Sequence, residues 1–245
     1  MIILAVDAGN TRFKWGLHDG SAWKSTGALP HADRDELAAA WAGLDVPERI
    51  AVSNVAGAQA GSFLRGRFAH WDAEQLWIRS QAEQCGVRNA YLDPGQLGCD
   101  RWASLIAARS LEAGPCLVVT AGTALTVDAL SGDGWFLGGI IVPGVGLMKR
   151  ALAGNTAGLR DEPGAVQDFP RSTADAIESG AVQALAGAVE RMAALLAARS
   201  RAAPACLMSG GAAQTLAMRL SLPVRRVDNL VLEGLLIMAR ESDPK

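Results

Sequence analysis

The sequence predicts an α/β protein of two similar halves, each a mixed β-sheet with helices attached. Three observations carry this. Short β-branched apolar runs alternate with stretches of helical period along the 245 residues,. A strand–turn–strand unit at the N-terminus, turning at Asp7-Ala8-Gly9-Asn10-Thr11, is answered after Cys116 by a second unit turning at Thr120-Ala121-Gly122-Thr123-Ala124. Finally, 50% of the residues are hydrophobic and 20% charged, which supplies sizeable cores and excludes a disordered chain,. Such a unit occurring twice points to two α/β domains meeting at a cleft.

The elements follow in order. Ile2 to Val6 is a short apolar run with the pattern of a buried strand,. Thr11, Phe13, Trp15 and Leu17 then alternate with polar residues and glycine, the period of a second strand,. Asp19-Gly20 is a hairpin turn into a third,. From Asp33 the period becomes helical, with Leu37, Ala40, Trp41 and Leu44 on one stripe and Asp33 with Glu36 as a capping pair,. Ile50 to Val55 and Leu76 to Ile78 read as strands, and a helix begins near Asp100. In the second half, Cys116 to Val119 is a buried strand, Leu125, Val127 and Ala129 alternate along the next, and Ser131-Gly132-Asp133-Gly134 turns into Trp135 to Val142. Helices over roughly 173–198, 211–219 and 229–240 enclose strands at Leu207-Met208 and Val224 to Val227,. The boundary falls near Glu112 to Pro115, giving halves of 1–113 and 114–245.

Several function classes are excluded or disfavoured. With 23 basic and 25 acidic residues there is no basic footprint for nucleic acid,. Cys85, Cys99, Cys116 and Cys206 form no CxxC pair, and His18, His31 and His70 do not cluster, which argues against a zinc site, a disulfide framework and a serine triad,. Met1 to Val6 has no basic lead or cleavage signal, and no stretch reaches the roughly 18 to 20 uncharged apolar residues of a membrane span,. The expectation is a soluble, cytoplasmic protein with no membrane partner.

Three segments carry candidate chemistry. In Asp7 to Lys14 a glycine turn between strands frees backbone N–H groups that form a phosphate nest, Asn10 and Thr11 add donors, Lys14 adds charge, and Asp7 offers a carboxylate to hydrated Mg²⁺,. An ordinary hairpin with an Asx-type turn reads the same way. The Gly122-Thr123 turn repeats the feature, and two facing turns grip a nucleotide. In Tyr91-Leu-Asp-Pro-Gly-Gln-Leu-Gly-Cys-Asp-Arg-Trp102, Asp100 is either a helix N-cap or a carboxylate base beside the basic anchor Arg101,. Asp128 lies on the strand face away from Leu125 and Val127, suited to metal or phosphate handling or to a solvated edge. Gly138 to Gly144 and Ser209-Gly210-Gly211 are hinges where backbone approaches a ligand or itself,.

Taken in order, Asp7-Ala-Gly-Asn-Thr11, Gly98-Cys-Asp-Arg-Trp102, Ala121-Gly-Thr-Ala-Leu-Thr-Val-Asp128, Gly138-Gly-Ile-Ile-Val-Pro-Gly144 and Ser209-Gly-Gly211 resemble type III pantothenate kinase. The resemblance spans nearly the whole chain. It implies an actin-like, hexokinase-type fold of two RNase-H-like halves with ATP between them, and a homodimer with substrate near its interface. It implies phosphorylation of pantothenate by ATP with Mg²⁺, the first step of coenzyme A synthesis. Asp7, Ala8, Gly9, Asn10, Thr11, Arg12, Phe13 and Lys14 would line the ATP phosphates, joined by Thr123, with adenosine-side glycines and dimer helices in the second half. Tyr91, Gly98, Cys99, Asp100 and Arg101 would hold pantothenate, Arg101 meeting its carboxylate, and Thr173 would close over it from the other subunit. Asp100 would accept the hydroxyl proton, and Asp7 and Asp128 would steer Mg²⁺. One position departs from the pattern: Thr120 stands where many members carry an aspartate that holds potassium or ammonium, so monovalent cation is expected to bind weakly. Two rivals share the fold, namely another kinase or polyphosphate hydrolase, and a non-catalytic accessory factor for transcription.

Overall fold

The computed structural model describes residues 1–241 and separates into two units. The first comprises Met1–Leu111 together with the segment from Asn229, and the second Glu112–Asp228. The break at 111/112 lies next to the expected boundary. The assignment of everything after 113 to the second half is corrected, because the last helix belongs to the first unit.

In the first unit the chain runs through β1 (Ile3–Ala8), β2 (Arg12–His18), β3 (Trp23–Pro30), a 3-10 segment (His31–Glu36), α1 (Leu37–Trp41), β4 (Arg49–Asn54), α2 (Ala58–Phe68), β5 (Glu74–Trp77), a small ribbon of β6 (Glu83–Gln84) and β7 (Val87–Asn89), and α3 (Cys99–Leu111). The second unit continues with β8 (Cys116–Ala121), β9 (Ala124–Leu130), β10 (Trp135–Pro143), α4 (Val145–Asn155), α5 (Thr173–Ser200), β11 (Ala205–Ser209), α6 (Ala213–Ala217) and β12 (Val224–Arg226). Helix α7 (Leu230–Glu241) completes the first.

The first unit's sheet has the order β3-β2-β1-β4-β5, and β12-β11-β8-β9-β10 is the corresponding run in the second. In each, three antiparallel strands are followed by two that add in parallel. β1 matches β8, β2 matches β9, and the turns after β1 and β8 occupy equivalent positions. The expected repeat is therefore a repeat of topology.

Alternation along β1 and β4 sorts their side chains onto two faces. Leu4, Val6, Ile50 and Val52 join Phe13, Trp15, Leu37, Trp41, Leu64 and Phe68 in one core. Ile3, Ala5, Asp7, Ala51 and Ser53 fall on the other face, where α3 and α7 pack. Arg49 donates to the carbonyl of Ala239, tying the end of α7 to β4. α7 and α3 approach so closely that a Cβ at Gly234 would sit 1.9 Å from the Ala103 carbonyl oxygen. In the second unit, Val182, Leu185, Val189 and Leu196 of α5 pack on Leu117, Val119, Leu125 and Val127. Among the described residues, α5 alone has the length and apolar content to cross a membrane; here one face of it packs in the core of its unit.

Several expectations change. β1 extends through Ala8, so Asp7 and Ala8 are strand residues and not part of the turn. The helix expected from Asp33 is a 3-10 segment with non-helical backbone at Asp33, followed by the five residues of α1, and no side chain caps either. The helix expected over 211–219 is confined to Ala213–Ala217.

Candidate active site

Asp7 is the centre of the first unit's candidate site. It sits at 5% exposure on β1, opposite Ser53 of parallel β4 and Lys14 of antiparallel β2. Its Oδ1 is buried without a hydrogen-bond partner. Burial, with the Asp100 charge added, pushes its pKa from 3.8 up to about 7, against the opposing pull of Lys14 and of a hydrogen bond from Ser53,. An orphaned carboxylate oxygen that two neighbours can only partly compensate is a place for a cation or a hydrated one.

Asp100 approaches from α3. It lies in the helix's first turn, one residue inside the N-terminus, and its Oδ1 accepts the N–H of Arg101 at 2.8 Å. The N-cap reading is thereby corrected: the first helical hydrogen bond runs from Trp102 N–H to the Gly98 carbonyl. A Cβ at Gly98 would lie 2.6 Å from Asp100 Oδ1, so glycine there leaves the carboxylate its place. Cys99, buried on the same turn, has its Sγ 3.4 Å from Ser53 Oγ. Asp7, Ser53, Cys99 and Asp100 thus form one connected group. Sequence reasoning missed Ser53, whose only signal is its register opposite Asp7 once β1 and β4 are paired.

Arg101 is 6% exposed and donates from Nη1 to the Tyr91 hydroxyl at 3.1 Å, with its guanidinium 5.8 Å from that ring's centroid. The two residues expected to hold one substrate are therefore together. The loop that carries Tyr91 is fastened: Asn89 Oδ1 accepts the Tyr91 N–H, Asn89 Nδ2 donates to the Pro94 carbonyl, and Ser80 Oγ lies 2.7 Å from the carbonyls of Pro94 and Leu97. Asp93 caps the following 3-10 turn through the Gly95 N–H.

The turn after β1 presents Asn10, Thr11 and Arg12 to solvent, with Gly9 half-buried. Lys14 points from β2 towards Asp7 in the register. Ala8 and Phe13 are fully buried, so their side chains line no phosphate; Phe13 stacks in the core against Phe63 at 5.9 Å.

In the second unit, the turn at Gly122 and Thr123 is exposed and closed by the Gly122 N–H to the Ala124 carbonyl. Gly144 donates to the Thr123 carbonyl at 2.9 Å, and its Cβ would lie 2.4 Å from the Gly122 oxygen. Gly210, at φ +105°, would place a Cβ 2.4 Å from the Ala121 oxygen. Both glycine hinges bring backbone up to this turn rather than to one another. On the sheet face away from the α5 core, Thr120 pairs across with Thr126 and Ser209, and Asp128 is 1% exposed between Val118 and Gly139. Asp128 is therefore not a solvated edge residue, since β9 lies between β8 and β10. Thr173 opens α5 and faces solvent; Ser172 caps that helix by accepting the Asp175 N–H. Among the described residues no three His, Cys, Asp or Glu side chains cluster as a metal cage.

Twin mixed sheets, each with a glycine-bearing turn after its first strand, define the class as an actin-like, sugar-kinase-type ATPase fold. A candidate 2-dehydro-3-deoxygalactonokinase from Sinorhizobium meliloti superposes at TM-score 0.63 over 99% of this chain and all of its own, with 19% identity. A candidate transcriptional activator of the Baf family from Campylobacter jejuni superposes at 0.61 over 97% and 98%, with 22% identity. At those identities both show the fold alone. The chain belongs to the type III pantothenate kinase family: the family's model matches residues 3–195, and the protein of that description from Nitrosospira multiformis is 54% identical over 98% of this chain and 92% of its own.

Proposed function

We propose that this protein phosphorylates pantothenate at the expense of ATP, giving 4'-phosphopantothenate, with Asp100 as the proton acceptor. The observation that carries the reading is the juxtaposition, in a chain of this family, of a carboxylate, Asp100, with a forked cation held on a tyrosine, Arg101 on Tyr91. Pantothenate has a carboxylate at one end and a primary hydroxyl at the other. Arg101 and Tyr91 suit the first, through a bidentate charge-assisted pair. Asp100 suits the second.

Phosphoryl transfer asks for alignment and charge stabilisation rather than covalent help from the protein. Asp100 would take the hydroxyl proton as the new O–P bond forms and the bond to the departing ADP oxygen breaks, and release it to water afterwards. The exposed turn at Gly9, Asn10 and Thr11 would receive the ATP phosphates, with Lys14 lending charge, and the second unit's turn offers the same chemistry through Thr123. Asp7 would hold Mg²⁺ through its orphaned oxygen. An ion held there would supply positive charge to offset that of the phosphates. In the second unit, Asp128 would be the carboxylate that serves metal or phosphate handling there. Thr120, with only hydroxyl neighbours at Thr126 and Ser209 in its register, would bind potassium or ammonium weakly. Thr173 would complete the pantothenate pocket from the second subunit of a homodimer.

The test is an ATP-consumption assay over a panel of pantothenate, sugars and polyphosphate, with the phosphorylated product identified. Turnover with pantothenate alone supports the reading. Turnover with a sugar and none with pantothenate assigns the site to a different kinase, and no turnover with any overturns the enzymatic reading.

A further inference from the structure

His31 has no part in the chemistry above, yet it fastens the phosphate turn at two points. Its backbone N–H donates to the Thr11 carbonyl at 3.1 Å, and its ring Nε2 lies 2.6 Å from the Gly9 carbonyl oxygen. A carbonyl only accepts, so Nε2 carries the proton and donates. The ring itself is held edge-on against Phe13 at 4.3 Å between centroids. Phe13 is fully buried and stacked on Phe63, so the imidazole is mounted on the core rather than on the loop.

From this geometry we infer that His31 is a positioning residue that sets the orientation of the Gly9–Asn10 peptide and so aims the turn's N–H groups at the ATP phosphates. The physical reason lies in the peptide unit. It is planar and trans, so its carbonyl and its N–H point in opposite directions. A Gly9 carbonyl drawn inward to His31 leaves the Asn10 N–H turned outward, on the exposed side of the turn, where Asn10 and Thr11 also stand. Glycine at 9 permits the peptide to flip at little cost. Without His31 the carbonyl is free to turn towards the phosphates, where an oxygen dipole repels what the N–H attracts. The inference rests on the proposed placement of ATP at this turn.

A cavity of about 280 Å³, lined by Asn10, Phe13, His31, Arg34, Gln59 and Phe63 among others, adjoins the ring. It gives room for side chains of other shapes, so substitutions can separate the ring from its hydrogen bond. Phenylalanine keeps the ring against Phe13 and removes the donor. Glutamine loses the ring and places its amide nitrogen where Nε2 stands. Asparagine is too short.

The experiment is calorimetric binding of a non-hydrolysable ATP analogue with Mg²⁺, alongside KM values for both substrates, for the unaltered protein, His31→Phe, His31→Gln and His31→Asn. A neutral hydrogen bond accounts for a factor of roughly 2 to 12. His31→Phe should weaken analogue binding and raise KM for ATP by about that factor, leaving KM for pantothenate unchanged, and His31→Gln should restore both. If His31→Phe does not fold, the pair of Gln and Asn decides, with Gln retaining affinity and Asn losing it. Unchanged affinity in the Phe or Asn variant, or equal weakening in Phe and Gln, overturns the assignment. An unaltered protein that turns over pantothenate but fails to bind the analogue at all overturns the phosphate-turn reading itself, a result distinct from failure of the variants.

Discussion

Asp7→Asn keeps the volume of the side chain, keeps an oxygen to accept from Ser53, and removes one buried charge. In the folded protein free of metal and nucleotide, the carboxyl's pKa is raised from 3.8 to about 7, with burial as the main cause and Asp100 adding to it. A carboxyl that holds its proton more tightly folded than unfolded lowers stability as pH rises from about 4 to about 7, and the loss is complete above that range. At about 1.4 kcal/mol per tenfold change in proton affinity, the full loss is about 4 kcal/mol. The amide variant should therefore be more stable than the unaltered protein at pH 8, and equal to it at pH 4. In urea unfolding with chelator present, followed by tryptophan fluorescence, the midpoint at pH 8 should rise by about 1–2 M. The same variant should lose kinase activity, so the carboxylate is kept for function against a cost in stability. A variant less stable at pH 8, or a difference equal at pH 4 and pH 8, would refute the reasoning.

Three further outcomes are expected. Arg101→Lys cannot reproduce a forked pair or the Tyr91 contact, so KM for pantothenate should rise about tenfold or more while KM for ATP stays put; equal changes in both would place Arg101 elsewhere,. The unaltered protein should be equally active in sodium and potassium at matched ionic strength, and Thr120→Asp should introduce potassium dependence; several-fold activation of the unaltered protein by potassium contradicts this. Gly234→Ala must push α7 off α3, since its Cβ would lie 1.9 Å from the Ala103 oxygen, and should cost roughly 1–3 kcal/mol or more; an unchanged melting temperature would mean the helices part freely,.

Much of the architecture was legible because period and turn chemistry agree with it. The apolar run at Cys116, the alternation of Leu125, Val127 and Ala129, and the glycine turns yield β8, β9 and β10 in the expected places. The helix α2 was not read, because Gly61 and Gly66 dilute its helical signal while Leu64 and Phe68 still bury one stripe,. Helix α4 was not read either: it buries no residue fully and meets the core through the half-buried Val145 and Met148. The return of α7 to the first unit is a matter of tertiary packing, seen in the close approach at Gly234 and in the Arg49 bond to the Ala239 carbonyl. At the site, the motifs of Asp7, Asp100 and Arg101 were legible as motifs. Their partners were not: Ser53 meets Asp7 through the pairing of β4 with β1, and His31 meets Gly9 through the fold of a 3-10 segment.

The central claim, that Asp100 accepts the proton of the pantothenate hydroxyl, is tested most directly by single-turnover phosphate transfer from ATP to pantothenate in Asp100→Asn. The amide keeps an acceptor for the Arg101 N–H, so the folded protein and its affinity for ADP should persist. Removal of a general base predicts a loss on the order of 10²–10⁴-fold in the rate of transfer. A folded Asp100→Asn protein that transfers phosphate at close to the unaltered rate would contradict the account.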